Sequence, residues 1–273
     1  MRKILLGIAL LSALCGAARA ADADHDSRLL TPAEKRVFYP LVCVGHARTG
    51  RADTCRSVIG NDAVTAAGQI ELSLDAVAYG AFSHPGADEA YVSYSASFEP
   101  HATNYGGGLL FARANGRWRL VRWYSAGQHH PCVALPVTGV QKHLCLNHWY
   151  GSGELDSTVF VEGLPDEKMT IRVLAAQDDR DSGETDTSNY QCTLPRAPNE
   201  NILLSIDGLT RPQARGILAQ SRIVYATPDA VHAACLRHDF HNVRATKAIL
   251  RYVVKGGTVV ALSPLRFAKT DSN

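Results

Sequence analysis

Apolar and polar residues alternate in short segments along most of the chain from about residue 69 onward. Clear examples are Ile70–Leu74, Ala90–Tyr94 and Arg117–Tyr124. Alternation with a period of two places apolar side chains on one face of a β-strand and polar side chains on the other. The pattern therefore predicts a mainly β protein of antiparallel sheets in a propeller-like or sandwich arrangement.

Turn residues separate several of these segments in the way that β-hairpins require. Asn115-Gly116 lies between two alternating runs, and an Asn-Gly pair is the dipeptide that best suits a two-residue hairpin turn. Lys255-Gly256-Gly257 separates the last two runs. We therefore expect hairpins at both positions.

One short helix is expected near the N-terminus, before the strands begin. Thr31 can cap the helix, Pro32 suits its first turn, and Glu34 completes a capping box. Pro40 follows soon afterwards and limits the expected length.

The first twenty residues have the three parts of a secretory signal peptide. Basic residues at positions 2 and 3 precede an apolar run, Ile4–Leu14, and Ala18-Arg19-Ala20 supplies the cleavage pattern. The run is shorter than the roughly 20 residues that a membrane helix needs. Cys15 raises a lipoprotein alternative, but Leu14 before it is unsuited to lipidation. We expect cleavage after Ala20 and a periplasmic or secreted location.

The charge of the processed chain argues against two classes of partner. Removal of residues 1–20 takes away Arg2, Lys3 and Arg19, which lowers the formal charge from +2 to −1. A nearly neutral surface gives no general attraction to nucleic acid or anionic lipid. No later stretch is apolar enough for a membrane helix. We therefore expect an envelope or extracellular ligand, no nucleic acid and no stable membrane insertion.

An even number of cysteines remains after cleavage, and in an oxidising compartment such cysteines form disulfides by default. Sequence order favours pairing neighbours, although six cysteines allow 15 connectivities. The favoured pairs are Cys43–Cys55, Cys132–Cys145 and Cys192–Cys235.

A polar stretch divides the processed chain. Residues 177–190 are rich in Asp, Ser, Thr, Gly and Glu, which predicts an exposed loop. We expect a β-rich region with the short helix at 21–176 and a second β-rich region at 191–268, packed together as one unit.

The stretch Tyr79–Val92 resembles the FG-GAP (integrin-type) β-propeller blade signature. Gly80, Phe82, Gly86 and Glu89 fall on matching positions. Such blades often bind calcium. Here Ala81, Ser83 and Pro85 stand where ligands would be expected, so the resemblance does not imply a calcium site in this chain. The stretch Gly106–Cys145 is similar to exported bacterial proteins, a resemblance that implies no activity.

Two clusters of histidine and cysteine could carry chemistry, since imidazole and thiolate are the usual zinc ligands. Oxidation of the cysteines would leave only histidines and carboxylates as ligands, so we expect no cofactor and keep zinc as an alternative. Candidate ligand-binding residues are His129, His130, His143, His148, Trp149 and Tyr150. Candidate metal ligands are His238, Asp239 and His241.

No compact catalytic motif accompanies these residues. The chain has no Gly-x-Ser-x-Gly, no His-Glu-x-x-His and no Cys-x-x-Cys. The sequence favours an exported, disulfide-bonded binding or interaction module. The alternative is an exported metal-dependent or triad-type hydrolase centred on His129, His130, His143 and His148; a purely structural envelope protein is a third possibility.

Overall fold

A computed structural model of the chain confirms the predicted fold class, because strand far outweighs helix and the antiparallel sheets include a curled half-barrel. The structure describes residues 25–50, 52–62, 64, 69–128, 130–151, 154–165, 175–177, 202–212, 216–237 and 243–262. The expected signal segment 1–20 and residues 178–190 of the expected polar loop lie outside these ranges. No helix within them is long and apolar enough to cross a membrane.

The chain divides into two compact units, which are described separately. Unit 1 comprises residues 1–144 and 163–167, and unit 2 comprises residues 145–162 and 168–273.

The strands of unit 1 are β1 (Arg28–Leu29), β2 (Cys43–Val44), β3 (Ala47–Thr49), β4 (Ala52–Cys55), β5 (Ser57–Val58), β6 (Ile70–Gly80), β7 (Glu89–Ala96), β8 (Gly106–Ala114), β9 (Arg117–Ser125) and β10 (Cys132–Ala134). Seven of them form one sheet with the order β3-β4-β6-β7-β8-β9, to which β1 adds by pairing with β6. β2 and β5 form a separate two-stranded ribbon.

Helix α1 (Pro32–Val42) begins as the sequence predicts. The Thr31 hydroxyl accepts a hydrogen bond from the Glu34 amide at 3.2 Å, and the Glu34 carboxylate accepts one from the Thr31 amide at 2.8 Å. This capping box satisfies two amides that a helix start otherwise leaves unpaired. Pro40 lies within the last turn, where it removes one hydrogen bond without ending the helix.

The inner face of the large sheet packs against α1. Phe38 of the helix is buried, and its ring centroid lies 4.7 Å from that of Phe111 on β8 and 5.7 Å from that of Trp118 on β9. Leu72 and Leu74 of β6 are fully buried in the same cluster. Each fully buried side chain of this kind contributes about 1.5–3 kcal/mol. The helix and the inner sheet face therefore form the core of unit 1.

Glu34 joins three elements of unit 1 through charge-assisted hydrogen bonds. Its carboxylate accepts two bonds from the Arg28 guanidinium of β1, at 2.7 and 2.8 Å, and one from the Tyr79 hydroxyl of β6 at 2.7 Å. The Arg28 hydrogen bonds are the main cause that holds the pKa of Glu34 well below its usual range, outweighing the opposing effect of partial burial. The bonds require the ionised carboxylate.

We expect Glu34→Gln to lower the free energy of unfolding by about 2 kcal/mol at pH 7. Because the pKa of Glu34 is lower in the folded chain, its contribution is present above the unfolded value near 4.5 and is lost as the pH falls below it. Urea unfolding at pH 7 and pH 3 measures this. The wild type should lose more stability on acidification than the variant, and equal losses would contradict the assignment.

The remaining strands are β11 (His143–Gly151), β12 (Glu154–Glu162), β13 (Ala175–Gln177), β14 (Ile202–Thr210), β15 (Ala219–Ala226), β16 (Thr246–Lys255) and β17 (Thr258–Ala261). In unit 2, the last four of these strands form one sheet in chain order, in which every neighbouring pair is antiparallel. β12 and β13 form a further antiparallel pair. A second helix, α2 (Pro228–Leu236), adds to the single helix that the sequence pattern predicts.

Candidate functional site

The FG-GAP-like stretch forms the loop between β6 and β7. The buried Glu89 carboxylate accepts hydrogen bonds from the amides of Phe82 and Ser83, both at 2.8 Å, and from the Ser83 hydroxyl at 2.5 Å. Phe82 is buried, and Gly86 has a φ of +80°, which favours glycine. Three of the four motif residues therefore have visible structural roles. The relationship to propeller blades stays a prediction.

The disulfides occur where sequence order favoured them. Cys43 and Cys55 are bonded, with their Cα atoms 5.3 Å apart, and both are buried in the core of unit 1. Cys132 and Cys145 are also disulfide-bonded. Cys192 and the side chain of Cys235 lie outside the described part of the chain, so the third bridge stays a prediction.

Two of the candidate histidines contact the segment that precedes β1. The fully buried His143 ring stacks on Phe82 with centroids 5.6 Å apart, and its Nε2 lies 2.9 Å from the carbonyl oxygen of His25. The His130 Nδ1 lies 3.2 Å from the Ser27 hydroxyl. Burial lowers the pKa of His130, although the Asp75 carboxylate opposes this shift. Both histidines thus hold the N-terminal segment.

The other candidates do not extend this arrangement. His148 and Trp149 lie on β11, and the His148 Nδ1 is 2.9 Å from the Ser157 hydroxyl on β12. His129, the Tyr150 side chain and the possible metal ligands at positions 238, 239 and 241 lie outside the described residues. Within those residues, no group of three or more His, Cys, Asp or Glu is placed to hold a metal ion.

Ser27 and His130 lie together as two members of a catalytic triad would, but their hydrogen bonds connect the N-terminal segment to the chain at β10. The Ser27 hydroxyl accepts a hydrogen bond from the Cys132 amide at 2.7 Å and lies 3.2 Å from the Cys132 carbonyl oxygen. Both carboxylate oxygens of Asp75 accept hydrogen bonds from serine hydroxyls rather than from His130. Among the contacts that the structure describes, the serine and histidine thus lack a carboxylate that orients the imidazole, as a triad requires.

Among the residues that the structure describes, a groove on the outer face of the large sheet is a candidate ligand site. Its volume is about 400 Å³, within the usual range of about 300–1,000 Å³ for small-molecule sites. We call it the serine groove; it is lined by Ala52, Asp53, Glu71, Leu72, Ser73, Ser95, Ala96, Ser97 and Tyr105.

Strand alternation and pairing assemble the floor of the groove. β6 and β7 are antiparallel, and Ser73 lies opposite Ser95. Because Leu72 and its partner Ala96 point into the core, the serines beside them point to the outer face. The register shifts between Leu74 and Ala76, which marks a β-bulge at Asp75. The bulge places this carboxylate beside the serine pair.

Asp75 determines the hydrogen-bonding character of the floor. Its two carboxylate oxygens accept hydrogen bonds from the hydroxyls of Ser73 and Ser95, both at 2.6 Å. A serine hydroxyl has one proton and two acceptor lone pairs. Since both protons are directed to Asp75, the two serines present acceptors to the groove. Glu71 adds a carboxylate, so the floor favours ligands that donate hydrogen bonds.

Asp53 is held in its ionised form at one wall of the groove. Although partial burial acts in the opposite direction, hydrogen bonds from His46 and Tyr39 lower the pKa of Asp53. The His46 Nε2 lies 3.1 Å from the carboxylate, and the His46 ring stacks on Tyr39 with centroids 3.9 Å apart. This wall therefore carries a permanent acceptor at neutral pH.

Tyr105 stands at the rim of the groove in an unusual backbone conformation. Its φ is +57°, the preceding Asn104 has a φ of +56°, and the Tyr105 side chain is 52% exposed. A bulky residue in the left-handed region costs about 1–3 kcal/mol and persists only where its surroundings impose it. Hydrogen bonds from the Ala96 amide to Tyr105 O, at 2.8 Å, and from the Tyr105 amide to Pro100 O, at 3.2 Å, fix it here.

A buried carboxylate supports the loop that carries Tyr105. Glu99 accepts hydrogen bonds from the hydroxyls of Tyr94, of Ser125 at 2.6 Å and of Thr103 at 3.4 Å. Burial, reinforced by this hydrogen bond to Glu99, raises the pKa of Tyr94 well above its usual range, so the phenol remains a donor. The rim is therefore preorganised by side chains beneath it.

Sequence reasoning missed the serine groove, although a signal for it is present. Ser93, Ser95 and Ser97 alternate along β7 and its end, and Glu71, Ser73 and Asp75 alternate along β6. Alternation in these two runs predicts that each strand has a polar face. The sequence does not show which residues of the two strands lie opposite each other.

Comparison with known proteins adds no function to this geometry. No protein-family model, no curated protein and no solved structure matches the chain.

Proposed function

We propose that this chain is an exported, disulfide-bonded binding module that takes a small saccharide in the serine groove. The observation that carries the proposal is an acceptor-lined groove with an exposed tyrosine held at its rim. Sugars present many hydroxyl donors together with apolar C–H faces. Acceptors on the floor suit the donors, and an aromatic ring with one apolar face and a polar end suits the C–H face.

Two further features support a binding role. The floor and rim are preorganised, because Asp75 fixes the serines and the bonds to Pro100 and Ala96 fix Tyr105. Preorganisation lowers the entropic cost of association. Asn104 ends the short 3-10 helix His101–Thr103 in the left-handed conformation that suits a helix end, whereas a tyrosine in that conformation is uncommon, and strained residues cluster at functional sites.

The test separates stability from binding at Tyr105. We expect Tyr105→Gly to raise the free energy of unfolding by about 1 kcal/mol, because glycine adopts a positive φ without steric cost. The same change should weaken saccharide binding by about tenfold, because the stacking surface is lost. Urea unfolding measures the first effect, and calorimetric titration with a panel of neutral and amino mono- and disaccharides measures the second.

Two controls make this result interpretable. Ile249→Ala removes an apolar side chain of unit 2 that is 46% exposed, and it should alter neither quantity by much. Spermidine tests whether the carboxylates alone attract any cation. Binding of spermidine without any saccharide would contradict the proposed ligand class, and unchanged saccharide binding in Tyr105→Gly would contradict the proposed site.

A further inference from the structure

The outer face of β9 carries a row of arginines that the serine groove does not use. Arg117, Arg119 and Arg122 are exposed and lie opposite Ala114, Ala112 and Leu110 of β8. We call these three residues the arginine ladder. The small alanines opposite Arg117 and Arg119 leave these two guanidinium groups accessible from above the sheet.

The arginines share one face because of the packing beneath them. Trp118 and Leu120 pack against the core of unit 1, which turns Arg117 and Arg119 to the opposite face. A register shift between Leu110 and Phe111 then returns Arg122 to the same face. The Arg122 guanidinium lies over the Tyr124 ring, 5.0 Å from its centroid.

β9 is also the last strand of the seven-stranded sheet. In the described ranges, residues 117–121 make no backbone hydrogen bond beyond the pair with β8. Arg117 and Arg119 form no ion pair with any residue that the structure describes. An edge strand of this kind offers alternate backbone donors and acceptors to a further strand.

We propose that β9 accepts an extended acidic peptide of a protein partner as an additional strand. Alternate side chains of a strand repeat at about 7 Å, so a peptide with an acidic residue at every second position matches the arginine ladder. Opposite charges across neighbouring strands stabilise their pairing, and arginine forms bidentate bonds with carboxylates. The positive charge of the arginine ladder favours an acidic partner. The unpaired backbone groups that the structure describes at the edge of β9 favour a partner in the extended conformation. This inference is independent of the serine groove.

The experiment uses the full processed chain and a ten-residue peptide in which glutamate alternates with threonine. We expect saturable binding in fluorescence anisotropy at low salt. The double variant Arg117→Glu/Arg119→Glu should weaken the binding by about tenfold or more, because attraction becomes repulsion. Arg251→Glu, at an exposed arginine of β16 in unit 2, is the matched control and should leave the affinity unchanged.

Two altered probes separate strand addition from simple charge attraction. A peptide N-methylated at alternate residues keeps its charges but loses backbone donors, and it should bind at least about tenfold more weakly if main-chain bonds supply the affinity. Equal binding of the methylated peptide would overturn the proposal, as would binding of heparin without binding of the peptide. A dimer that the double variant dissociates would identify a second copy as the occupant and would also overturn it.

Discussion

Replacing Gly107 with alanine should destabilise unit 1 by about 3 kcal/mol or more, the upper part of the range for overpacking. A Cβ at this position of β8 would lie 2.1 Å from the Tyr124 carbonyl oxygen and 2.7 Å from the Tyr94 hydroxyl. The first contact involves the backbone of the paired strand, so no side-chain rotation relieves it. The Tyr94 hydroxyl is in turn bound to Glu99.

Gly208→Ala in β14 is the matched control. Nothing lies within 4 Å of a Cβ at Gly208, and this glycine does not have a positive φ. Alanine there should be neutral or stabilise the chain by about 0.5–1 kcal/mol, because glycine loses more freedom on folding. Urea unfolding of both variants measures the difference. A change of less than about 1 kcal/mol for Gly107→Ala would contradict the close contacts of Gly107 with Tyr94 of β7 and Tyr124 of β9.

Loss of the Cys43–Cys55 disulfide should have a comparable effect. The bridge closes a loop with a sequence separation of 12 residues, and a loop of that size contributes about 3 kcal/mol by restricting the unfolded chain. Both sulfur atoms are buried beside α1, so serine would add the cost of a buried hydroxyl. Cys43→Ala/Cys55→Ala avoids that cost and should lower the free energy of unfolding by about 3 kcal/mol.

Reduction of the wild type tests the same contribution without substitution. Under a reductant, urea unfolding of the wild type should approach that of Cys43→Ala/Cys55→Ala, and the remaining difference reports the Cys132–Cys145 bridge together with the predicted Cys192–Cys235 bridge. A double variant as stable as the oxidised wild type would show that this bridge does not restrain the chain.

Much of unit 1 follows from local sequence signals. Thr31, Pro32 and Glu34 specify the start of α1 because capping depends only on residues three positions apart. Asn115-Gly116 specifies the hairpin between β8 and β9 because both residues adopt a positive φ there. The Cys43–Cys55 pair follows from proximity along the chain.

The groove could not be predicted because it depends on register and on a bulge. Ser73 and Ser95 are neighbours only because β6 and β7 pair in one of several registers that the alternation allows. The extra residue at Asp75 is also invisible in the pattern. Glu89 shows the same difficulty, because its place in the loop gives no sign that its carboxylate binds the amides of Phe82 and Ser83.

The sequence could not show the contacts that two of the candidate histidines make. His130 and His143 hold the segment before β1 through Ser27 and His25, and a role in ligand binding stays a prediction. That segment is distant in sequence from both histidines, so spacing within 129–148 carries no sign of it. The residues at the groove are small serines and carboxylates, which sequence reasoning passes over because they are common on surfaces.

Amide chemical-shift mapping of a ¹⁵N-labelled chain that begins at Ala21 tests the central claim most directly. With the saccharide that binds most tightly in calorimetry, we expect the largest shifts at residues 71–75, 95–97 and 105, and we expect Tyr105→Gly to reduce them. Shifts concentrated on β9 or in unit 2, or no shift with any saccharide of the panel, would contradict the assignment of the serine groove as the ligand site.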